Sequence, residues 1–333
     1  MKIAYIGLTC EAPLFVAQEK GFFKEEGLEA ELVKVDWTSM REVLDSGKCD
    51  ATHTLVTYLL KPIEGGLDVK MTGGVHMGCL RVLVGKDSGI KTVEGLKGKR
   101  IGVQTMGSPP FLFTSRVLAD HGMDAEKDVT WRVFQASDLE MALQKGELDA
   151  VACSEPIGSL LMAHEGVVAV VDQAVDAPYK DEFCCAIAVN GKLIEREPAK
   201  AAKITRAILK ATKWVAVNPT AAARLSVESK WLAVNVDVDA LALSKLSYVA
   251  SVSRAEKSVT DTAAALKKEG ILKATTDTDQ LGKLAFARLD GVTDEWVSQL
   301  TVEKVAGGGP FVPVDGKLLV LVDLPSCCID KKQ

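Results

Sequence analysis

Apolar residues along the chain alternate in short runs and then recur with helical spacing, and the two patterns take turns from the first residue onward. Lys2 to Gly7 alternates as a strand, after which Leu14, Phe15, Ala17, Phe22 and Phe23 mark an amphipathic helix ending near Gly27. Ala30 to Val35 predicts the next strand, and Trp37-Thr38-Ser39 opens a helix carrying Met40, Val43 and Leu44. After Ser46-Gly47-Lys48-Cys49-Asp50-Ala51, a short strand runs through His53-Thr54-Leu55 into a helix with Tyr58, Leu59 and Leu60. Val69 to Gly74 and Arg81 to Gly85 read as strands separated by the bend Val75-His76-Met77-Gly78-Cys79.

The stretch from Leu96 to Pro110 carries the clearest strand, turn, helix signal. Ile101-Gly102-Val103 is the strand, and Thr105, Gly107 and Ser108 open a helix continued by Phe111, Leu112, Val117 and Leu118. Ser108 suits the N-cap, and Pro109 suits the first helical position because it lacks an N–H. The free N–H groups of such a helix face the carboxyl end of the strand, which is where ligands bind in open α/β sheets. The second unit repeats the first in outline: Gly47-Lys48-Cys49-Asp50-Ala51 is answered by Gly146-Glu147-Leu148-Asp149-Ala150. A Gly-x-x-Asp-Ala once in each half is what two similarly folded lobes leave in sequence.

Val167 to Val171 and Ala186 to Val189 read as strands. From Pro198 the pattern becomes helical, with segments over Ala201–Val215, Ala221–Val227 and Val238–Val249, broken at Asn218-Pro219. Val305 to Leu324 returns to glycine turns and short strands, with Asp315-Gly316 as a hairpin signal.

A chain of 333 residues is large enough for two lobes of ordinary domain size. Its 47% hydrophobic and 26% charged residues are those of a globular protein, and the net charge of -5 gives no reason to expect nucleic acid as a partner. No apolar run approaches the length of a membrane span. Because Lys2 to Ile6 already reads as the first strand, no signal segment is visible in this sequence. The chain is therefore expected outside the cytoplasm after removal of a leader, or in the cytoplasm if this start is native. The eight cysteines show no CxxC framework, which favours neither a disulfide scaffold nor a structural zinc site.

Ala12-Pro13-Leu14-Phe15-Val16-Ala17-Gln18-Glu19-Lys20-Gly21-Phe22-Phe23, the two Gly-x-x-Asp-Ala elements, Val93 to Val103 and Ser154-Glu155-Pro156 together resemble a known family. It is the type II periplasmic solute-binding proteins of the nitrate/sulfonate/taurine class, the NMT1/THI5-like family, and the resemblance covers residues 1 to about 230. It implies an α/β fold of two Rossmann-like lobes with a ligand cleft between them. Crossings are expected near Leu83 to Asp87 and Ala186 to Asn190. Residues 1–85 would form the first part of lobe one, 86–187 lobe two, and 188–333 the rest of lobe one with a helical C-terminal region. The resemblance also implies a monomer that hands a small-molecule solute to a membrane ABC permease, with lobe closure as the signal.

The carboxyl-end loops of both sheets then supply the ligand-site candidates. Lobe one offers Thr9, Cys10, Glu11, Trp37, Thr38, His53, Thr54, His76, Met77 and Gly78; lobe two offers Thr105, Met106, Gly107, Ser108, Ser154, Glu155 and Cys184. Hydroxyls and helix-start N–H groups suit an oxyanion, and no lysine or arginine sits in these loops. That favours a small oxyanion, a sulfonate or a neutral polar heterocycle over a phosphate ester. Trp37 serves either as an aromatic wall or as surface packing. His76 is expected to donate to an anion, as a histidine in this loop does in the nitrate binders the sequence resembles. His53 either touches ligand or is a core histidine, and Glu155 either meets a cationic or amide portion or caps a helix.

Cys10, Cys79, Cys153, Cys184 and Cys185 fall near these loops and, with His76, are either small core residues or ligands to a soft metal. No nucleophile–base pair or carboxylate dyad is readable, so no catalytic residue, cofactor or resident metal is assigned. The leading expectation is a non-catalytic binding protein. The alternative is an enzyme of the same fold in thiamine-pyrimidine or menaquinone precursor synthesis, and a third reading is a soft-metal or thiol-ligand sensor.

Overall fold

The computed structural model describes residues 1–163 and 166–311. The expected hairpin at Asp315-Gly316 and the Cys327-Cys328 pair lie outside the described residues. Among the described residues the strands are, in chain order, β1 (Lys2–Tyr5), β2 (Glu31–Lys34), β3 (Ala51–Leu55), β4 (Val69–Met77), β5 (Leu80–Gly85), β6 (Arg100–Val103), β7 (Thr130–Val133), β8 (Ala150–Ser154), β9 (Val167–Asp172), β10 (Phe183–Asn190) and β11 (Ser247–Ser251).

They form two sheets with one plan. The first runs β2-β1-β3-β10-β4-β11 and the second β7-β6-β8-β5-β9. In each, three parallel strands (β2, β1, β3 and β7, β6, β8) are followed by antiparallel strands. Helices connect the parallel strands at matching places: Ala12–Glu19 and Met40–Asp45 in the first half, Pro109–Asp120 and Leu139–Gln144 in the second. Helices Val56–Glu64 and Ile157–Ala163 then follow β3 and β8. This is the two-lobed α/β fold expected from the sequence.

The repeat holds at the level of atoms. Asp50 Oδ2 accepts from the Lys2 N–H at 2.8 Å, and Asp149 Oδ2 accepts from the Arg100 N–H at 2.8 Å. In both halves the aspartate of Gly-x-x-Asp-Ala therefore fixes the first residue of the neighbouring parallel strand. The glycines that open the motif, Gly47 and Gly146, turn the chain out of the preceding helix with φ of 71° and 70°.

The crossings differ from expectation. The chain leaves the first sheet between Met77 and Leu80 and returns between Asp172 and Phe183. Leu83 lies inside β5 and Ala186 to Asn190 lies inside β10, so residues 80–85 join the second sheet and 183–190 the first. Apolar alternation marks such stretches as strands but says nothing about which sheet they pair with. For the same reason the bend between β4 and β5 is confined to Gly78 and Cys79 instead of spanning Val75 to Cys79. Gly78 has φ of 70°, and a Cβ there would lie 2.4 Å from Ala174 Cα, so the two crossing segments meet where only glycine fits.

One long predicted helix is also divided. Val236–Lys245 is helical, but Ser247–Ser251 is a strand on the edge of β4, where alternating Tyr248 and Val249 serve a ladder. The core of the first lobe packs the helix Ala12–Glu19, buried from Ala12 to Ala17, against Pro198–Val217 and Pro219–Glu228. Phe15 stacks on Trp231 at 5.8 Å and Tyr5 meets both rings edge-on. No helix of the described residues is long and apolar enough to cross a membrane.

Candidate functional site

The carboxyl ends of β1, β3, β6 and β8 each run into a helix start, and the structure buries most of what the loops there carry. The helix after Thr54, Val56–Glu64, packs against the helix after Ser108, Pro109–Asp120. One helix that follows a candidate loop of each sheet thus meets the other on this side. Arg116 closes this side further: its guanidinium holds Glu182 through two bonds of 2.5 and 2.8 Å and Glu269 through one of 3.2 Å.

Several buried polar atoms in this region have no hydrogen-bond partner. They are both ring nitrogens of His53 and of His76, Thr54 Oγ1, Ser108 Oγ and Asp239 Oδ2. Ser108 occupies the expected N-cap position of Pro109–Asp120, yet its hydroxyl makes no capping bond. A buried polar group without a partner costs about 1–3 kcal/mol.

The floor of the site is formed by the first sheet. The His53 and His76 rings lie 5.2 Å apart, and Tyr248 lies 5.4 Å from His76 and donates to the Cys10 carbonyl at 3.3 Å. Burial, and then the neighbouring His76, hold the His53 imidazole well below its ordinary pKa, so it is neutral. Thr9 donates its hydroxyl to Asp239 Oδ1. Burial pushes Asp239 up to about 7, against the lowering pull of that hydroxyl. Cys10, Cys79, Cys184 and Cys185 all sit here, buried, with the Cys79 and Cys184 sulfurs 3.1 Å apart. Cys184 was expected in lobe two; it belongs to β10 of the first sheet.

Other expected residues are occupied or lie at the rim. The buried Glu11 carboxylate accepts from the N–H groups of Ile6, Gly7 and Leu8 at 2.7–2.9 Å, which ties the loop after β1 and leaves little for a ligand. Glu155 pairs with the buried Arg81 and accepts from Ser159 N and Oγ, both at 2.9 Å, so of its two expected roles it takes the helix-capping one. Ser154 is buried at the end of β8. Trp37 is half-buried and packs edge-on against Tyr58 at 5.1 Å. Thr38 is exposed and donates to Asp36 at 2.6 Å. Met106 is exposed, and Thr105 and Gly107 are half-buried beside it. Met77, at the end of β4, accepts through its sulfur from Arg254 at 3.6 Å. Cys153 packs in the second lobe's core, and burial pushes its thiol up.

Sequence reasoning missed Arg81, Asp239 and Tyr248. Arg81 is buried because Glu155 and Asp172, the latter at 2.7 Å, balance its charge. Asp239 and Tyr248 come from the helical C-terminal region, more than 200 residues from the loop they face, and no local pattern announces them.

The sequence profile of the NMT1-like family matches residues 1–229. The chain belongs to the NMT1-like family. Within this breadth, it is 30% identical over 244 residues to 4-amino-5-hydroxymethyl-2-methylpyrimidine phosphate synthase of Aspergillus parasiticus, covering 66% of this chain and 67% of that one. It is 31% identical over 212 residues to a Bacillus subtilis protein named for binding aliphatic sulfonates, covering 61% and 62%. The fold of this NMT1-like chain superposes on the alkanesulfonate-binding protein SsuA of Xanthomonas axonopodis pv. citri bound to MOPS with a TM-score of 0.69. Identity there is 18%, covering 86% of this chain and 98% of that one.

Proposed function

We propose that this chain is a solute-binding protein that captures one small oxyanion, sulfonate or related polar solute by closure of its two lobes. The observation that carries the reading is the set of unpartnered buried groups His53, Thr54 and Ser108, at or just beyond the carboxyl ends of β3 and β6. A neutral imidazole, two hydroxyls and the N–H groups of the helix after Ser108 hold an oxyanion without a full positive charge. The charge of Arg81 is already balanced by Glu155 and Asp172, which disfavours a multiply charged solute. The kinship with the Bacillus sulfonate-binding protein supports the same class of solute. On this reading the protein works outside the cytoplasm and delivers its solute to a membrane ABC permease. Calorimetric titration with nitrate, alkanesulfonates and pyrimidines tests it: one solute of these classes binds with 1:1 stoichiometry, and heat from none of them overturns the reading.

A second reading is an enzyme in thiamine-pyrimidine or menaquinone precursor synthesis, and the relation to the Aspergillus synthase favours its pyrimidine branch. Release of a chemically altered small molecule by the purified chain would support it over simple capture.

A further inference from the structure

We propose that Cys10, His76, Cys79 and Cys185 form a four-ligand site for Zn(II). Their ligand atoms, three sulfurs and one imidazole nitrogen, all lie within 4.8 Å of one another, and all four residues are buried. In a tetrahedral zinc site with Zn–S of about 2.3 Å the ligands stand about 3.8 Å apart, so the widest edge needs to contract by about 1 Å.

Two backbone devices bring the ligands together. His76 is the penultimate residue of β4 and Cys79 follows three residues later; the left-handed Gly78 between them folds the chain so that both reach one point. In β10, pairing with β4 slips between Phe183 and Cys185 and again between Cys185 and Ala186. Such a bulge re-aims side chains that regular pleating would send to opposite faces. As a result the Cys184 and Cys185 sulfurs lie 3.9 Å apart, and the Cys184 sulfur is also 3.1 Å from that of Cys79. Cys184 is thereby placed to hydrogen-bond the ligating sulfurs and orient them.

Ordinary core packing accounts poorly for this arrangement. His76 is fully buried with neither ring nitrogen hydrogen-bonded, whereas a core histidine normally satisfies at least one. A bond from one nitrogen to the metal removes that cost. Cys49 and Cys153, equally buried, stand apart from the cluster and fit the packing role. Three thiolates and an imidazole select a thiophilic cation over Mg(II) or Ca(II), and a closed tetrahedral set of this kind suits zinc. Cys10, His76 and Cys185 belong to the first lobe and Cys79 is the second residue to leave it. The four ligands therefore need no residue from the second sheet, although His76 lies beside His53 on the same floor.

The test is titration of the reduced full chain with Co(II) under anaerobic conditions. One equivalent is expected to give a sulfur-to-cobalt charge-transfer band and tetrahedral d–d bands, both abolished by one equivalent of Zn(II). Cys79→Ser and Cys185→Ser are each expected to weaken binding about tenfold or more, while Cys153→Ser binds as the parent does. Absence of the charge-transfer band, or parental affinity in Cys185→Ser, overturns the proposal. Should the serine variants not fold, X-ray absorption at the zinc edge of the unsubstituted loaded chain decides: a shell of three sulfurs and one nitrogen supports the site, and oxygen and nitrogen neighbours alone overturn it. Ser108→Asp, in the second lobe, is expected to keep its zinc, because no ligand of the set comes from that helix start; loss of zinc there would overturn the four-ligand set.

Discussion

The sulfur of Cys79 lies 3.1 Å from that of Cys184, although 105 residues separate them. This is where the two segments joining the lobes touch: the Cys79 N–H donates to the Gln173 side chain at 3.2 Å, and Gly78 leaves no space for a side chain beside Ala174. Gly78→Ala places a methyl group against backbone and forces a left-handed conformation on alanine. A loss of about 2–3 kcal/mol is expected in chemical denaturation, accompanied by a drop in Tm. Parental stability would mean that the crossings do not meet as described.

Ser108 occupies a cap position without using its hydroxyl to cap. Ser108→Asp brings a carboxylate to the helix start and is expected to abolish binding of an anionic solute, because like charge and lost donor act together. Ser108→Ala removes only the hydroxyl and is expected to weaken binding about tenfold, equivalent to about 1.4 kcal/mol. Calorimetry reads both, and unchanged affinity in Ser108→Asp would place the solute elsewhere.

Arg116, on the second lobe's first long helix, reaches Glu269 on the first lobe and Glu182 at the end of the return crossing. Arg116→Met leaves two carboxylates facing each other across the closure. The expected result is a more open chain without solute, seen as a larger radius of gyration in small-angle scattering, and a stability loss of about 3 kcal/mol. A saturating solute is expected to reduce the radius of the parent chain measurably. A scattering radius identical in parent and variant would remove the clasp.

Glu64 is the clearest source of acid sensitivity. Partial burial alone would raise its carboxyl, but bonds from Lys61 Nζ at 2.8 Å, the Thr276 hydroxyl and the Lys273 N–H at 2.9 Å bring it down to about 2. A carboxyl depressed on folding contributes stability above its unfolded pKa of about 4.3 and loses it as pH falls through the folded value. Glu64→Gln is thus expected to have a lower Tm than the parent at pH 7, with the gap closing between about pH 4.3 and pH 2. A gap independent of pH would show that the charge of Glu64 is not what holds residues 273–276.

The repeated Gly-x-x-Asp-Ala, the Ser108-Pro109 helix start and the order of strands and helices over residues 1–190 were legible because each is a local matter. A glycine ends a helix, an aspartate reaches one strand over, and apolar spacing follows the period of its element. Glu11 and Glu155 read as cleft residues from position alone, since nothing nearby in sequence shows that the Ile6–Leu8 N–H groups and Arg81 take them up. Asp239, Tyr248 and Arg81 reach the site through contacts made across the chain, and local patterns hold no record of such contacts.

Local patterns alone establish a two-lobed α/β chain of the NMT1-like family, because hydrophobic period, capping chemistry and the internal repeat act within a few residues of each position. Which strands exchange between the sheets, and hence where the lobes cross, was decided only in three dimensions, since backbone pairing is blind to side-chain alternation. The gathering of Cys10, His76, Cys79 and Cys185 belongs there too: it depends on a left-handed glycine and a slipped ladder, whose effect on side-chain direction exists only once the strands are paired.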